Sequence, residues 1–214
     1  MVKLSPSVLT SDFLTLKQIL PQFEASGVEM LHLDVMDGIF VPNISFGVPV
    51  IKSIKAHTNI PLDVHLMIDR PHRYIKQFAE VSDWLGFHYE AGSNVAETLK
   101  EIRALGCKSC LTIKPKTEPE EIFEFLPLCD MVLVMSVEPG FGGQKFMPSA
   151  LPKIKAIKAE AERLGLNLEI EIDGGINAET APLAVEAGAT VLVAGNYIFS
   201  ADDIPKTVEE IHRL

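Results

Sequence analysis

The sequence predicts a (β/α)8 TIM barrel, and three observations predict it. Short apolar strands alternate with helical segments about eight times along the 214 residues, the order of parallel βα units. Three of those strands carry aliphatic side chains on one face and histidine or carboxylate on the other, and only a closed sheet gathers such polar faces easily. No linker or composition shift divides the chain, so one domain over residues 1–214 is expected. The alternative, an open doubly wound sheet, leaves the polar faces of the second, third and seventh strands without a common meeting point.

Taken in order, residues 4–9 read as a short strand distorted by Pro6. Thr10-Ser11-Asp12 then caps a helix through Phe13, Leu16, Ile19, Leu20 and Phe23, with Pro21 as a candidate kink and Ser26-Gly27 as its end. The second strand covers residues 31–37. A loop from Gly38 to Asn43 follows, then a helix over 48–57, a strand over 61–67 and a helix over 71–80 that starts on Pro71. Strand 84–88, helix 94–105, strand 107–113, a short helix over 118–126 and the apolar strand 131–137 continue the alternation. A glycine-rich loop, Glu138 to Phe146, leads into a helix over 150–164 whose Lys153, Lys155 and Lys158 read as a solvated face. Strand 168–173, helix 177–187, strand 190–194 and a helix over 205–213 complete the chain.

A net charge of −10 argues against a general nucleic-acid or anionic-membrane binder, but not against a phosphorylated substrate, which a few backbone N–H groups can hold. Three cysteines, Cys107, Cys110 and Cys129, give no disulfide framework, and the C-x-x-C pair lacks the partners of a zinc knuckle. Met1-Val2-Lys3-Leu4 lacks the apolar run of a signal peptide, and no run is long enough to span a bilayer. A cytoplasmic protein with reduced thiols is expected.

The chemistry concentrates on the polar strand faces. In the stretch Leu31-His32-Leu33-Asp34-Val35, the aliphatics share one face and His32 and Asp34 the other. Leu62-Asp63-Val64-His65-Leu66 repeats this, and Glu169-Ile170-Glu171-Ile172-Asp173 places Asp173 last before a Gly pair. Polar groups so close to a core are costly unless paired, and a divalent metal held by His nitrogen and Asp oxygen answers that cost. His32, Asp34, His65 and Asp173 are therefore expected to form one shared site. Gly140 to Gly143, Gly174-Gly175 and Gly195-Asn196 follow late strands, where this fold commonly binds phosphate. The Gly140 segment lacks the Gly-Lys-Ser/Thr ending of a Walker loop.

These residues resemble the ribulose-phosphate 3-epimerase family. The matching segments are Ser5-Pro6-Ser7-Val8-Leu9, His32 to Gly38, Phe40-Val41-Pro42-Asn43, Asp63 to Met67, Met135 to Gln144 and Glu171 to Gly175, spread over nearly the whole chain. The resemblance implies a TIM barrel of the ribulose-phosphate-binding type that interconverts D-ribulose 5-phosphate and D-xylulose 5-phosphate in the pentose phosphate pathway. It places the metal on His32, Asp34, His65 and Asp173, with Asp34 as proton acceptor and Asp173 as proton donor about a cis-enediolate. It places substrate on Ser7, His65, Gly140, Phe141, Gly142, Gly143, Asp173, Gly174, Gly175, Gly195 and Asn196, and lines the chamber with Met36, Met67 and Met135. Asn196 stands where a serine is common in the family.

One divalent metal per subunit is expected. Zn²⁺ suits the N/O ligand set best, with Fe²⁺, Mn²⁺ or Co²⁺ compatible. The resemblance also implies a homo-oligomer, dimer or hexamer. The nearest rival substrate is a six-carbon ketose phosphate such as D-allulose 6-phosphate. A barrel doing aldol or decarboxylation chemistry, which a lysine near the ligands would favour but none of the three polar-faced strands carries, and a catalytically dead phosphate-binding module are the more distant readings. His57, His72 and His212 read as surface residues, and His88 as a core or supporting histidine.

Overall fold

The computed structural model describes residues 2–214. Eight parallel strands follow one another: β1 (Lys3–Pro6), β2 (Leu31–Met36), β3 (Leu62–Met67), β4 (Trp84–His88), β5 (Lys108–Ile113), β6 (Met131–Met135), β7 (Glu169–Asp173) and β8 (Val191–Ala194). They hydrogen-bond in the order β1-β8-β7-β6-β5-β4-β3-β2. The remaining seam, between β1 and β2, is drawn together by a Ser7–His32 bridge and by the Met30 N–H donating to the Leu4 carbonyl at 3.3 Å. The helices are α1 (Leu16–Ala25), α2 (Val48–Lys55), α3 (Ile75–Ala79), α4 (Val95–Ala104), α5 (Ala150–Arg163), α6 (Thr180–Ala187), α7 (Asn196–Phe199) and α8 (Ile204–His212). None is long and apolar enough to cross a membrane.

The period-2 patterning sorts each strand into two environments. Leu31, Leu33 and Val35 of β2, with Leu62, Val64 and Leu66 of β3, turn outward into the core shared with the helices. Inside the barrel the two sides differ. Cys110, Met131, Leu133, Met135 and Val191 of β5, β6 and β8 pack together as an apolar plug. On the other side His32, Asp34, Asp63, His65 and Glu171 are all buried. Gly86 on β4 makes room between the two: a Cβ there would lie 3.1 Å from the Cys110 Cβ.

Several local expectations are corrected. β1 stops at Pro6, and Val8–Thr10 forms a 3-10 turn instead of continuing the strand. α1 starts at Leu16, leaving Leu14 91% exposed. Pro21 sits within α1 on its exposed side, where water can satisfy the carbonyl left without a partner. The helix over 71–80 is split into a 3-10 turn, Pro71–Arg73, and the short α3. The segment over 118–126 is a 3-10 run, Pro119–Leu128, with Pro127 inside it, a residue that cannot donate to an i−4 carbonyl. Residues 177–179 form a turn before α6, its N–H groups at Glu179 and Thr180 bonded to the Asn177 side chain. α7, a single turn directly after β8, carries no helical pattern of its own in the sequence.

Lys153 is the largest correction. Lys155 and Lys158 are exposed as expected, but Lys153 is 6% exposed. Its ammonium donates to the Pro115 carbonyl at 2.8 Å and to the Thr117 carbonyl, so α5 fastens the loop after β5. That loop in turn holds Glu90, just past β4. Glu90 Oε1 accepts from the Lys114 N–H at 2.9 Å and from the Thr117 hydroxyl, and Oε2 faces His88 Nδ1 at 3.3 Å.

This anchoring predicts acid sensitivity. Burial alone would raise the Glu90 pKa, but its bonds with His88, Thr117 and the Lys114 N–H lower it from 4.5 to about 2. The folded value lies below the unfolded one, so the stabilisation is fully present above pH 4.5 and is lost as pH falls through about 2. A shift of this size is worth on the order of 3 kcal/mol. Guanidinium unfolding of Glu90→Gln across that window should show a shallower loss of stability with acid than the parent; parallel curves would contradict the assignment.

Candidate metal centre and substrate cavity

Register builds the centre. β2 and β3 pair with His32 opposite Asp63 and Asp34 opposite His65, so imidazoles and carboxylates alternate across the inner face in both directions. A one-residue slip of either strand would turn its histidine and aspartate outward under the helices. β7, which is not a neighbour of β2 or β3 in the sheet, adds Asp173 from across the lumen. His32, Asp34, His65 and Asp173 each offer a ligand atom, and these atoms all lie within 4.8 Å of one another.

Three of the atoms form a near-equilateral triangle. His32 Nε2 is 3.2 Å from Asp34 Oδ1 and 3.3 Å from His65 Nδ1, and His65 Nδ1 is 3.1 Å from Asp34 Oδ1. A tetrahedral ion with bonds of ~2.0–2.1 Å sets its ligand atoms roughly 3.3 Å apart, so the triangle fits a small divalent cation. Two nitrogens and two carboxylate oxygens are a donor set for a borderline transition metal, not for calcium.

Neighbouring groups aim these ligands. His32 Nδ1 lies 2.6 Å from Asp63 Oδ2, which turns Nε2 inward, the usual carboxylate–histidine arrangement behind a metal. Ser7 donates its hydroxyl to Asp34 Oδ2 at 2.7 Å, and Ser45 Oγ donates to the Asp34 carbonyl at 2.5 Å while accepting from the Met36 N–H. His65 Nε2 meets His88 Nε2 at 2.9 Å. Glu171 lies behind, 3.7 Å from His32 Nδ1, its carboxyl buried without a hydrogen bond.

The electrostatics separate the carboxyl groups. Burial opposes charge on Asp34, but the positive charge on His32, its hydrogen bond and the adjoining His65 imidazole outweigh it and hold Asp34 well below the usual carboxylate range. Burial likewise disfavours charge on His32, yet the Asp34 and Asp63 carboxylates raise its pKa well above 6.5. Asp173 goes the other way: burial and then the Asp34 charge push it up to about 7. Glu171 is raised well above 4.5 by burial and by Asp63, which keeps it neutral. His88, at about 4 because of burial, is neutral as well.

Above the triangle opens a cavity of about 490 Å³. Asp34 and Asp173 reach its wall with Ser7 and the three methionines Met36, Met67 and Met135, whereas His32 and His65 lie beneath its surface. Gly140, Phe141, Gly142, Gly143, Gly174, Gly175, Gly195 and Asn196 line the same cavity. Glycine is needed at two of these positions on steric grounds. Gly174 has φ +124° and its Cβ would fall 2.6 Å from Val137, and Gly175 has φ +66° with the Phe146 backbone nitrogen closer still to the Cβ position. Asn43 Nδ2 donates to the Gly140 carbonyl at 2.8 Å, tying the β2 loop to the glycine loop.

Sequence reasoning did not single out Asp63, Glu171, Ser45 or Glu90 as parts of the centre. The alternation that exposed His65 and Asp173 also places Asp63 and Glu171 inward, so the signal for those two was present. Ser45 and Glu90 lie in loops, and only tertiary contact reveals them. His57 and His72 are exposed as expected, and His212 is half-buried, 3.2 Å from Glu29.

Comparison with known proteins agrees with this geometry. A family model described as the ribulose-phosphate 3-epimerase family matches residues 3–199. The chain is 45% identical to ribulose-phosphate 3-epimerase of Bacillus subtilis over 99% of its own length and 98% of that protein's. It is 41% identical to the protein of the same name from Methanocaldococcus jannaschii, covering 99% and 90%. Among solved structures, 3-hexulose-6-phosphate synthase from Salmonella typhimurium superposes with a TM-score of 0.71 at 17% identity, covering 99% and 97%, a likeness of fold alone. A match that runs through β1 to α7 and takes in every strand of the polar wall leaves one conclusion: the chain belongs to the ribulose-phosphate 3-epimerase family.

Proposed function

We propose that the protein interconverts D-ribulose 5-phosphate and D-xylulose 5-phosphate by moving a proton at C3, with Asp34 and Asp173 as the acid–base pair. The observation that carries this reading is geometric: Asp34 and Asp173 reach one cavity from non-adjacent strands, and their carboxyl groups gather with His32 and His65 so that the ligand atoms lie within 4.8 Å of one another. Inversion at carbon requires a base on one face and an acid on the other, because a single base returns the proton to the face it left. Asp34 and Asp173 come from strands that are not neighbours in the sheet, which suits attack from two sides of a flat intermediate.

His32, Asp34, His65 and Asp173 would hold the cation. Bound there, it supplies Lewis-acid stabilisation of the negative charge that develops on the substrate oxygens as the C3 proton leaves. Asp34 uses Oδ1 in the triangle and keeps Oδ2, steadied by the Ser7 hydroxyl, to accept the C3 proton. Asp173 delivers its proton to the opposite face, and the two exchange roles in the reverse direction. Met36, Met67 and Met135 keep the chamber dry around the reacting carbon. The glycine segments and Asn196 hold the phosphate through backbone N–H groups. The N/O set favours Zn²⁺, with Fe²⁺, Mn²⁺ and Co²⁺ compatible. One continuous eight-stranded sheet supports a single catalytic domain, buried free thiols at Cys107, Cys110 and Cys129 support a cytoplasmic setting, and exposed Leu14, Ile39 and Ile44 supply apolar surface for a homo-oligomer, dimer or hexamer.

Asp34→Asn and Asp173→Asn should each lower kcat by at least ~100-fold, the lower end of general acid–base contributions, while circular dichroism stays unchanged; near-normal turnover in either variant would refute the two-carboxylate scheme. Dialysis against a strong chelator should abolish epimerisation, and readdition of Zn²⁺, Fe²⁺, Mn²⁺ or Co²⁺ should restore it; full activity in a sample shown metal-free by elemental analysis would remove the cation from the mechanism. The rival six-carbon substrate is tested by kcat/KM measured side by side, with the pentose phosphate expected to be preferred over D-allulose 6-phosphate.

A further inference from the structure

We propose that Glu90 and His88 are positioning residues: a one-way hydrogen-bond relay that fixes His65 in the tautomer whose Nδ1 lone pair faces the centre. The inference rests on the cation-binding reading of that centre. His65 uses both ring nitrogens, Nδ1 toward His32 and Asp34 and Nε2 toward His88 Nε2 at 2.9 Å. A contact between two imidazole nitrogens carries one proton, and its direction is set from outside. For Nδ1 of His65 to ligate, Nε2 must carry the proton and donate it. His88 Nε2 must then accept, so His88 carries its own proton on Nδ1, where Glu90 Oε2 accepts it at 3.3 Å.

Glu90 can only accept. Its other oxygen is held by the Lys114 N–H at 2.9 Å and by the Thr117 hydroxyl, a loop pinned by Lys153. The Phe40 ring covers His88 with centroids 4.8 Å apart, and His88 is fully buried, so water does not replace either partner. Each link therefore has one satisfied direction, which ends in a lone pair at the centre.

Glu90→Gln tests the relay sharply. The amide must put its carbonyl toward the Lys114 N–H, which turns its NH2 toward His88 Nδ1. His88 is forced to carry its proton on Nε2, His65 Nε2 becomes an acceptor, and the His65 proton moves to Nδ1, into the ligand position. Zn²⁺ affinity, measured by chelator competition, is expected to fall 10- to 100-fold, the range for loss of such supporting groups. The double variant His88→Gln with Glu90→Gln places an amide carbonyl near the old Nε2 position and is expected to recover most of the affinity. Ring ¹⁵N resonances of the Zn²⁺-loaded parent should show His88 protonated on Nδ1. Unchanged affinity in Glu90→Gln, no recovery in the double variant, or a His88 protonated on Nε2 would each overturn the relay. A parent that fails to bind Zn²⁺ would instead remove the centre itself, and the relay with it.

Discussion

The structure depends on one constraint: a wall of buried imidazoles and carboxylates inside the barrel must satisfy itself without water. His32, Asp34, Asp63, His65 and Glu171 are each at most 3% exposed. Unpaired, groups of this kind cost several kcal/mol apiece. His32, Asp34, Asp63 and His65 pair with one another only when β2 and β3 run in the observed register, and closure of the sheet between β1 and β2 brings Ser7 onto Asp34 and β7 round to face them. Closure and chemistry are thus the same event. Ser7 shows this most directly, since its backbone bridges to His32 across the seam while its hydroxyl holds Asp34.

The asymmetry between the two aspartates follows from where each sits in that wall. Asp34 faces the His32 imidazole at 3.2 Å and accepts from the Ser7 hydroxyl, with the His65 imidazole 3.1 Å away. Asp173 has no such set; burial first, and then the Asp34 charge across the lumen, make it hold its proton more tightly. Two chemically identical groups are shifted in opposite directions by their neighbours, and because each feels the other's charge their titrations belong to the pair.

The parts of this arrangement that obey a strand's period of two were legible in the sequence. Aliphatic residues at 31, 33 and 35 and at 62, 64 and 66 fixed which face of each strand turned inward, and with it the placement of His32, Asp34 and His65. What escaped was set through space. Lys153 looks like any lysine on a helix face, and only the carbonyls of Pro115 and Thr117 make it a buried anchor. Glu90 lies beyond the end of β4, where alternation no longer constrains direction. The 3-10 run over Pro119–Leu128 and the short α7 turn on proline placement and on packing that a 3.6-residue period does not encode.

Fold alone does not account for the chemistry. The same barrel, at 17% identity, serves a 3-hexulose-6-phosphate synthase, so the function must be argued from the side chains that β2, β3 and β7 present. None of those strands carries a lysine, which removes an amine from the polar wall and with it the simplest route to Schiff-base chemistry there. What the strands do carry is a carboxyl group from each of two non-adjacent elements and a pair of imidazoles at ligand spacing. A lone base could abstract a proton but would return it to the same face. On the proposed reading, Asp34 and Asp173 on one cavity, with His32 and His65 beneath it, are what would make inversion rather than simple enolisation the outcome.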